Sequence, residues 1–289
     1  VARYDEPLKR LGRLCPKDFI QWLCPQMEVL PNQIHFEDRE FEIARRSADL
    51  LYRIKDSKYG EFQLHLEFQG ILTDDFVLRL FEYSTLIYKN TNLPVKTVAI
   101  FLENTVAIEA LSTICQNKLG SEVFSEFRFT KIILSKESWR DILDKKLPAL
   151  LPLIPFCSIK PGDELEALQE TQNLLETLED ERLKLELETV FAILGGYRFP
   201  QFIRRILGEK RMKDLMESVI YQEMFKQATT NATIKTYKNN ILNILEARFN
   251  NISPQLKEKV RLIHLEEVLS LLVKSAATVH TLEEFEKLL

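Results

Sequence analysis

Glycine and proline are scarce in this chain, at 8 and 11 residues of 289. With so little of either, and with no low-complexity tract or internal repeat, the sequence reads as neither a disordered nor a solenoid protein. Long apolar runs are also missing. The nearest, "LPALLPLIPF" at 147–156, is broken by prolines and falls short of the roughly 18 to 20 apolar residues that a membrane-spanning helix needs. The opening "VARYDEPLKRLG" has no apolar signal-peptide core, so a cytoplasmic protein is expected. Cysteine is confined to Cys15, Cys24, Cys115 and Cys157, with no C-x-x-C pair and no histidine at zinc-site spacing. Reduced thiols are therefore expected, rather than a disulfide framework or a zinc centre. The dispersed His35, His65, His264 and His280 fit the same reading.

What is there belongs to an ordinary globular chain: 45% apolar and 28% charged residues, long enough for one large domain or two modest ones. The net charge of −4 does not mark a nucleic-acid binder, but it hides an asymmetry. Residues 151–200 carry 4 basic and 10 acidic side chains, and residues 201–250 carry 9 basic and 5 acidic ones. The stretch "RRILGEKRMK" (204–213) supplies five of those cations, as a solvated helix face or as a surface for phosphate.

Apolar spacing predicts a helix from Pro7 to about Leu23, ended by Pro25 and Pro31. Ala48–Lys55 and Glu61–Gln69 read as strands of a hairpin about "DSKYG". A helix from Asp74 to Lys89 follows, with Thr73 as N-cap and Phe76, Leu80, Tyr83 and Ile87 on its buried side. "VKTVAIFLE" (95–103) reads as a strand covered on both faces, "FRFTKIIL" (127–134) as another, and "ESWRDILDKK" as a helix. The order predicts an α/β (α+β) core: a mixed sheet flanked by helices over residues 1–155. Residues 156–289 read as helical throughout, with helices expected over 200–227, 232–249 and 255–274.

The hairpin carries the chemistry. In "FQLHLEFQG" (62–70) the even positions Phe62, Leu64, Leu66 and Phe68 are apolar, and Gln63, His65, Glu67 and Gln69 between them are polar. Successive strand side chains point to opposite faces, so this is one apolar face and one polar face. If the strands fold about Lys58, Tyr52 sits opposite Leu64 and Asp49 opposite Glu67, on the face that also holds Leu51, Arg53, His65 and Gln69. Opposed residues have Cβ atoms roughly 4.5 to 5.5 Å apart, so two carboxylates there repel unless a cation lies between them. Mg²⁺ takes oxygen ligands of this kind, and a solvent-washed sheet face is the alternative.

"ARRSADLLYRI…FQLHLEFQG" followed by "FVLRLFEYSTLIYKNTNLPVKTVAIFLE" resembles the core of the PD-(D/E)XK nuclease superfamily, which has a restriction-endonuclease-like fold. Within it, the likeness is to the recombination-promoting nuclease and transposase-associated (YhgA-like) branch, over roughly residues 4–105. The segment "ILEARFNNISPQLKEKVRLIHLEEVLSLLVKSAATVHTLEEFEKLL" is similar to the helical tail of many cyanobacterial members. The resemblance implies an Mg²⁺-dependent DNA endonuclease, with Mn²⁺ an alternative ion, acting in recombination, transposition or defence. It implies Asp49 and Glu67 as metal ligands, with the Phe68 backbone carbonyl as a further ligand and Gln69 in the place of the usual lysine. An amide does not accept a proton at neutral pH, so Gln69 can orient water or substrate but not act as general base. The family also implies a helping acid on the first helix, for which Asp5, Glu6 and Asp18 are candidates. Arg79 and Tyr83 match family-like positions facing phosphate, with an ion pair to a carboxylate as the other role for Arg79. Arg45 and Arg46 are candidate backbone-phosphate contacts. His65 is either a base or a hydrogen-bonded structural residue. A catalytically silent relative that binds DNA or protein, and a helical oligomerisation scaffold pairing through its C-terminal helices, are the competing readings.

Overall fold

The computed structural model describes residues 2–25, 27, 33–36, 40–41, 46–47, 50–70, 72–250, 252–263 and 265–289. The chain opens with two helices, α1 (Ala2–Leu14) and α2 (Pro16–Leu23), where apolar spacing predicts one. Pro16 explains the break. Its ring disfavours the helical conformation at the preceding residue, and Cys15 stands at φ −132°, ψ 64°, so α2 restarts with proline in its first turn.

Strands β1 (Ile34–Phe36), β2 (Glu40–Phe41) and β3 (Arg46–Ser47) are short; β1 joins the main sheet, and β2 and β3 pair with each other. The hairpin of β4 (Leu50–Asp56) and β5 (Gly60–Gln69) then forms in the expected register, with Tyr52 opposite Leu64 and Leu50 opposite Leu66. Its turn is held by the Asp56 carboxylate, which accepts the amides of Lys58 and Tyr59 at 2.8 and 2.6 Å. Gly60, at φ +76°, closes the turn in a conformation that side chains disfavour.

Helix α3 (Phe76–Thr91) crosses over the sheet and returns as β6 (Val95–Phe101), parallel to β5. The helix starts two residues later than expected: Asp75 takes the N-cap position, and the Thr73 hydroxyl bonds to its carboxylate instead of capping. Then come α4 (Val106–Ala110), the hairpin β7 (Ile114–Leu119) and β8 (Glu122–Arg128), and β9 (Thr130–Ile133). The run 127–134, expected as one strand, is thus divided. Its first two residues belong to the hairpin and residues 130–133 to the main sheet, while the Phe129 amide between them bonds to Thr113 O at 3.1 Å. The main sheet has the order β1-β4-β5-β6-β9, antiparallel through β5 and parallel beyond it. The molecule is therefore mixed α/β, with a five-stranded mixed sheet among helices.

Both faces of the hairpin are covered. On the side of Phe62, Leu64, Leu66 and Phe68, the Phe19 ring meets Phe68 edge-on at 6.0 Å, and Tyr52 donates its hydroxyl proton to Gly12 O at 3.0 Å. Gly12 permits this approach: a Cβ there would stand 2.1 Å from Leu50 Cδ1. On the other side Phe76 and Leu80 of α3 pack with Ala99 and Phe101 of β6, and Phe127 and Phe129 extend the cluster.

Helix α5 (Trp139–Asp144) leads into a 3-10 segment, Pro148–Phe156, buried from Ala149 onward and packed against later helices. The remainder is helical: α6 (Glu164–Glu176), α7 (Glu181–Arg198), α8 (Pro200–Glu217), α9 (Val219–Phe249), α10 (Pro254–Arg261), α11 (Glu266–Thr278) and α12 (Leu282–Glu286), so that the helix expected over 255–274 stands as two, α10 and α11. The expected break between 227 and 232 falls instead at Ser218. That residue is extended, with φ −62° and ψ 144°, and its Oγ accepts the Tyr221 amide at 3.2 Å to start α9. Two compact units divide the chain, built mainly from residues 3–40 with 47–222 and from 41–46 with 223–289. The second has its own core of Ile241, Leu245, Leu256, Leu269, Leu272 and Phe285. Within it the Arg248 guanidinium donates to Ala276 O and Val279 O, both at 2.6 Å, and so satisfies carbonyls at the end of α11.

Candidate metal and phosphate site

Strand β5 is the place where the sheet changes direction, antiparallel on its β4 side and parallel on its β6 side. In open α/β sheets, ligand sites gather at the carboxyl ends of strands beside such a switch. Glu67 and Gln69 occupy that end of β5, and their face is the one α3 crosses.

This polar face is not washed by solvent. Gln63 and His65 are 0% exposed, Glu67 6% and Gln69 8%. Burial of so many polar groups is costly unless they are paired, and α3 supplies the partner. From its first turn Arg79 reaches back, placing Nη2 3.6 Å from Glu67 Oε1 and 3.5 Å from Gln69 Oε1. Its Cζ also lies 5.4 Å from the centre of the Phe76 ring. One guanidinium thus gathers a carboxylate oxygen and an amide oxygen. Of the two roles open to Arg79, the ion pair is the one adopted here.

His65 lies one step deeper. Its Nε2 is 3.5 Å from Glu67 Oε2, inside ion-pair range, yet neither ring nitrogen makes a hydrogen bond among the described residues. The Tyr83 ring meets the imidazole edge-on at 5.8 Å, and Thr97, its neighbour across β6, is 2% exposed with no hydrogen bond to its Oγ1 among the described residues. Thr97 is the site residue that sequence reasoning missed. The signal was a hydroxyl within the otherwise apolar "TVAIF", in parallel register with His65.

The remaining candidates divide as follows. Asp49 and Arg45 lie outside the described residues, as do the side chains of Asp5 and Arg46, the latter belonging to β3. The Phe68 ring points to the opposite face, against Phe19. Asp18 has a structural bond: its Oδ2 accepts the Ala149 amide at 2.9 Å, and burial raises its pKa above 3.8, against the lowering pull of that bond and of Lys17. Glu6 is half-buried on α1. Among the described residues no three His, Cys, Asp or Glu side chains converge to hold an ion.

Two other buried carboxylates are already matched by cations. Glu186 pairs with Arg10 at 2.8 Å, and Glu188 pairs with Arg211 while accepting from Gln172 Nε2 at 2.9 Å. The first pair links α1 to α7 and the second group ties α6, α7 and α8 together; with the buried Asp56 holding the hairpin turn, the β5 face is left as the candidate site.

Comparison of the chain with protein-family models, with curated proteins and with solved structures finds no match. Among the described residues no helix is long and apolar enough to cross a membrane.

Proposed function

We propose that the chain is an Mg²⁺-dependent endodeoxyribonuclease of the PD-(D/E)XK type, with its centre at the carboxyl end of β5. The observation that carries this reading is the convergence of Glu67 Oε1 and Gln69 Oε1 on one cationic position, which Arg79 fills at 3.6 and 3.5 Å. Two oxygens directed at one positive charge mark where a hard divalent ion would meet the Glu67 carboxylate, with the Gln69 amide beside it. The order of elements supports it too: helices, an antiparallel hairpin, a crossover helix and a parallel strand. The hairpin register, with Leu50 opposite Leu66, is the one expected from the sequence.

On this reading Asp49, Glu67 and the Phe68 carbonyl hold Mg²⁺, or Mn²⁺ in its place. The ion supplies Lewis-acid stabilisation of the charge that builds on phosphate oxygens. Gln69 orients water or the phosphate, since its amide cannot take a proton. Arg79 leaves Glu67 for the phosphate when DNA binds, and Arg45 and Arg46 contact the DNA backbone. His65 lies beside Glu67, its Nε2 3.5 Å from Oε2. The biological setting is DNA recombination, transposition or defence.

A second reading has an observation of its own. Arg79 already gives the Glu67 carboxylate a cationic partner without an ion, which fits a catalytically silent DNA- or protein-binding relative. Supercoiled plasmid incubated with the protein and Mg²⁺ separates the two. The nuclease nicks or linearises it, and loses this activity with chelator and with Glu67→Ala; retained DNA binding without any cutting supports the silent relative.

A further inference from the structure

Helix α8 is bent, because Gly208 stands at φ 71° and ψ 163°, a region open essentially to glycine alone. The helix runs to Leu207, turns, and resumes as the arm that carries Met212 and Leu215. Two cavities open in the elbow, of about 350 and 730 Å³, and Arg204, Met212 and Met216 line both, so they form one groove. Tyr197 from the end of α7 and Tyr221 from the start of α9 flank the smaller cavity, whose floor includes Ile203 and Leu215.

The charges on the rim are unequal. Arg204 and Arg205 are exposed and have no ion-pair partner among the described residues. The carboxylates of the lining are Glu209 and Glu217, and Lys213 lies 3.8 Å from Glu217 and offsets it. Arg211 is directed inward to Glu188. What remains is two guanidiniums, Arg204 and Arg205, against the single Glu209 carboxylate, with Tyr197, 53% exposed, lining the smaller cavity together with Arg204.

We propose that this groove binds single-stranded nucleic acid, with phosphates on Arg204 and Arg205 and a base against Tyr197. A cationic track with aromatic faces is the arrangement that binds single strands without reading sequence, since every base has a face to stack. An acidic peptide is the other anionic chain that would meet the arginines. The exposed ring beside them favours the nucleotide chain, which offers base and phosphate together. The groove uses no residue of the Glu67 site, so binding here and cleavage there can fail separately.

The test is fluorescence anisotropy of a labelled 20-nucleotide oligo-dT with the full chain in chelator, titrated over a range of NaCl. Arg204→Ala/Arg205→Ala weakens binding about 10-fold near 0.1 M salt and lowers the slope of log K against log salt by about 1.4, two contacts at about 0.7 each. Tyr197→Ala weakens it about 5-fold or more with the slope unchanged. Lys118→Ala, exposed on β7, retains the affinity of the parent. Three results overturn the proposal: no binding by the parent protein, a double variant with the affinity and slope of the parent, or equal binding of the duplex form. Tighter binding of a polyglutamate peptide than of the oligonucleotide at the same salt assigns the groove to acidic peptides and overturns it as well.

Discussion

Replacing Arg79 with methionine isolates the interaction on which the β5 site depends. At 3.6 Å and an effective dielectric near 20, the attraction between Arg79 and Glu67 is about 4 to 5 kcal/mol. Part of this is recovered in the variant, because a guanidinium that is 22% exposed gives up some hydration to make the pair. Breaking one side of a buried pair costs about 3 to 5 kcal/mol, and this partly open pair belongs below that range, at about 2 to 3 kcal/mol. Methionine keeps the packing against Phe76, so the loss reports the charge rather than a cavity. Both tryptophans, Trp22 and Trp139, lie in the first compact unit, so their fluorescence in urea follows the unit that holds the site. With a slope of about 2 to 3 kcal/mol per molar, the midpoint falls by about 1 M. Arg128→Met removes an exposed pair with Glu126 and serves as the control, with the midpoint of the parent expected. Added Mn²⁺ raises the midpoint of Arg79→Met more than that of the parent protein, because the ion takes the vacated position. A midpoint within error of the parent would refute the pairing argument, and equal Mn²⁺ shifts would refute the claim that Arg79 and the ion compete.

Gly12→Ala places a Cβ 2.1 Å from Leu50 Cδ1 and 2.8 Å from Tyr52 Oη, so about 1 to 3 kcal/mol of stability is lost in the same urea assay; an unchanged midpoint contradicts the close approach of α1 to the sheet. Asp18 binds its proton more tightly folded than unfolded, so its contribution is full below pH 3.8 and is lost as pH rises through its raised native pKa. The stability of Asp18→Asn relative to the parent therefore improves with pH across that interval and is level above it, and a difference that does not vary across the acid range contradicts burial as the cause. Burial pushes the thiols of Cys157 and Cys15 up to about 12, the latter helped by Asp18, Glu186 and Asp180, and Cys24 is buried as well. Native protein at pH 8 thus reacts quickly with a disulfide reagent at Cys115 alone and at all four cysteines once unfolded; fast native labelling of Cys157 contradicts this.

The hairpin register was legible because β5 alternates without interruption from Phe62 to Gln69, and one residue of slip would send its apolar set away from Phe19 and the helices above. Alternation separates the two faces of a strand but says nothing of what covers each. The burial of Gln63, His65 and Glu67 follows from α3 crossing over them, and its Arg79 is a tertiary partner ten or more residues away in the chain. Apolar spacing likewise continues through Cys15 and Pro16, where the backbone does not. In 127–134 a continuous strand-like pattern of aromatic and β-branched residues conceals a change of sheet at Phe129. From 219 to 249 no glycine or proline intervenes, and the helix continues through 228–231, between the two helices expected there. The bend at Gly208 had only the glycine itself as a signal, in a stretch whose charges drew attention first.

The central claim is a divalent ion held at Glu67. Titration of the purified chain with Mn²⁺, following the free-ion signal by electron paramagnetic resonance, measures this directly. The account predicts one ion per chain, displaced by Mg²⁺ and lost in both Glu67→Gln and Asp49→Asn; an undiminished free signal at millimolar protein, or binding that survives both substitutions, contradicts it.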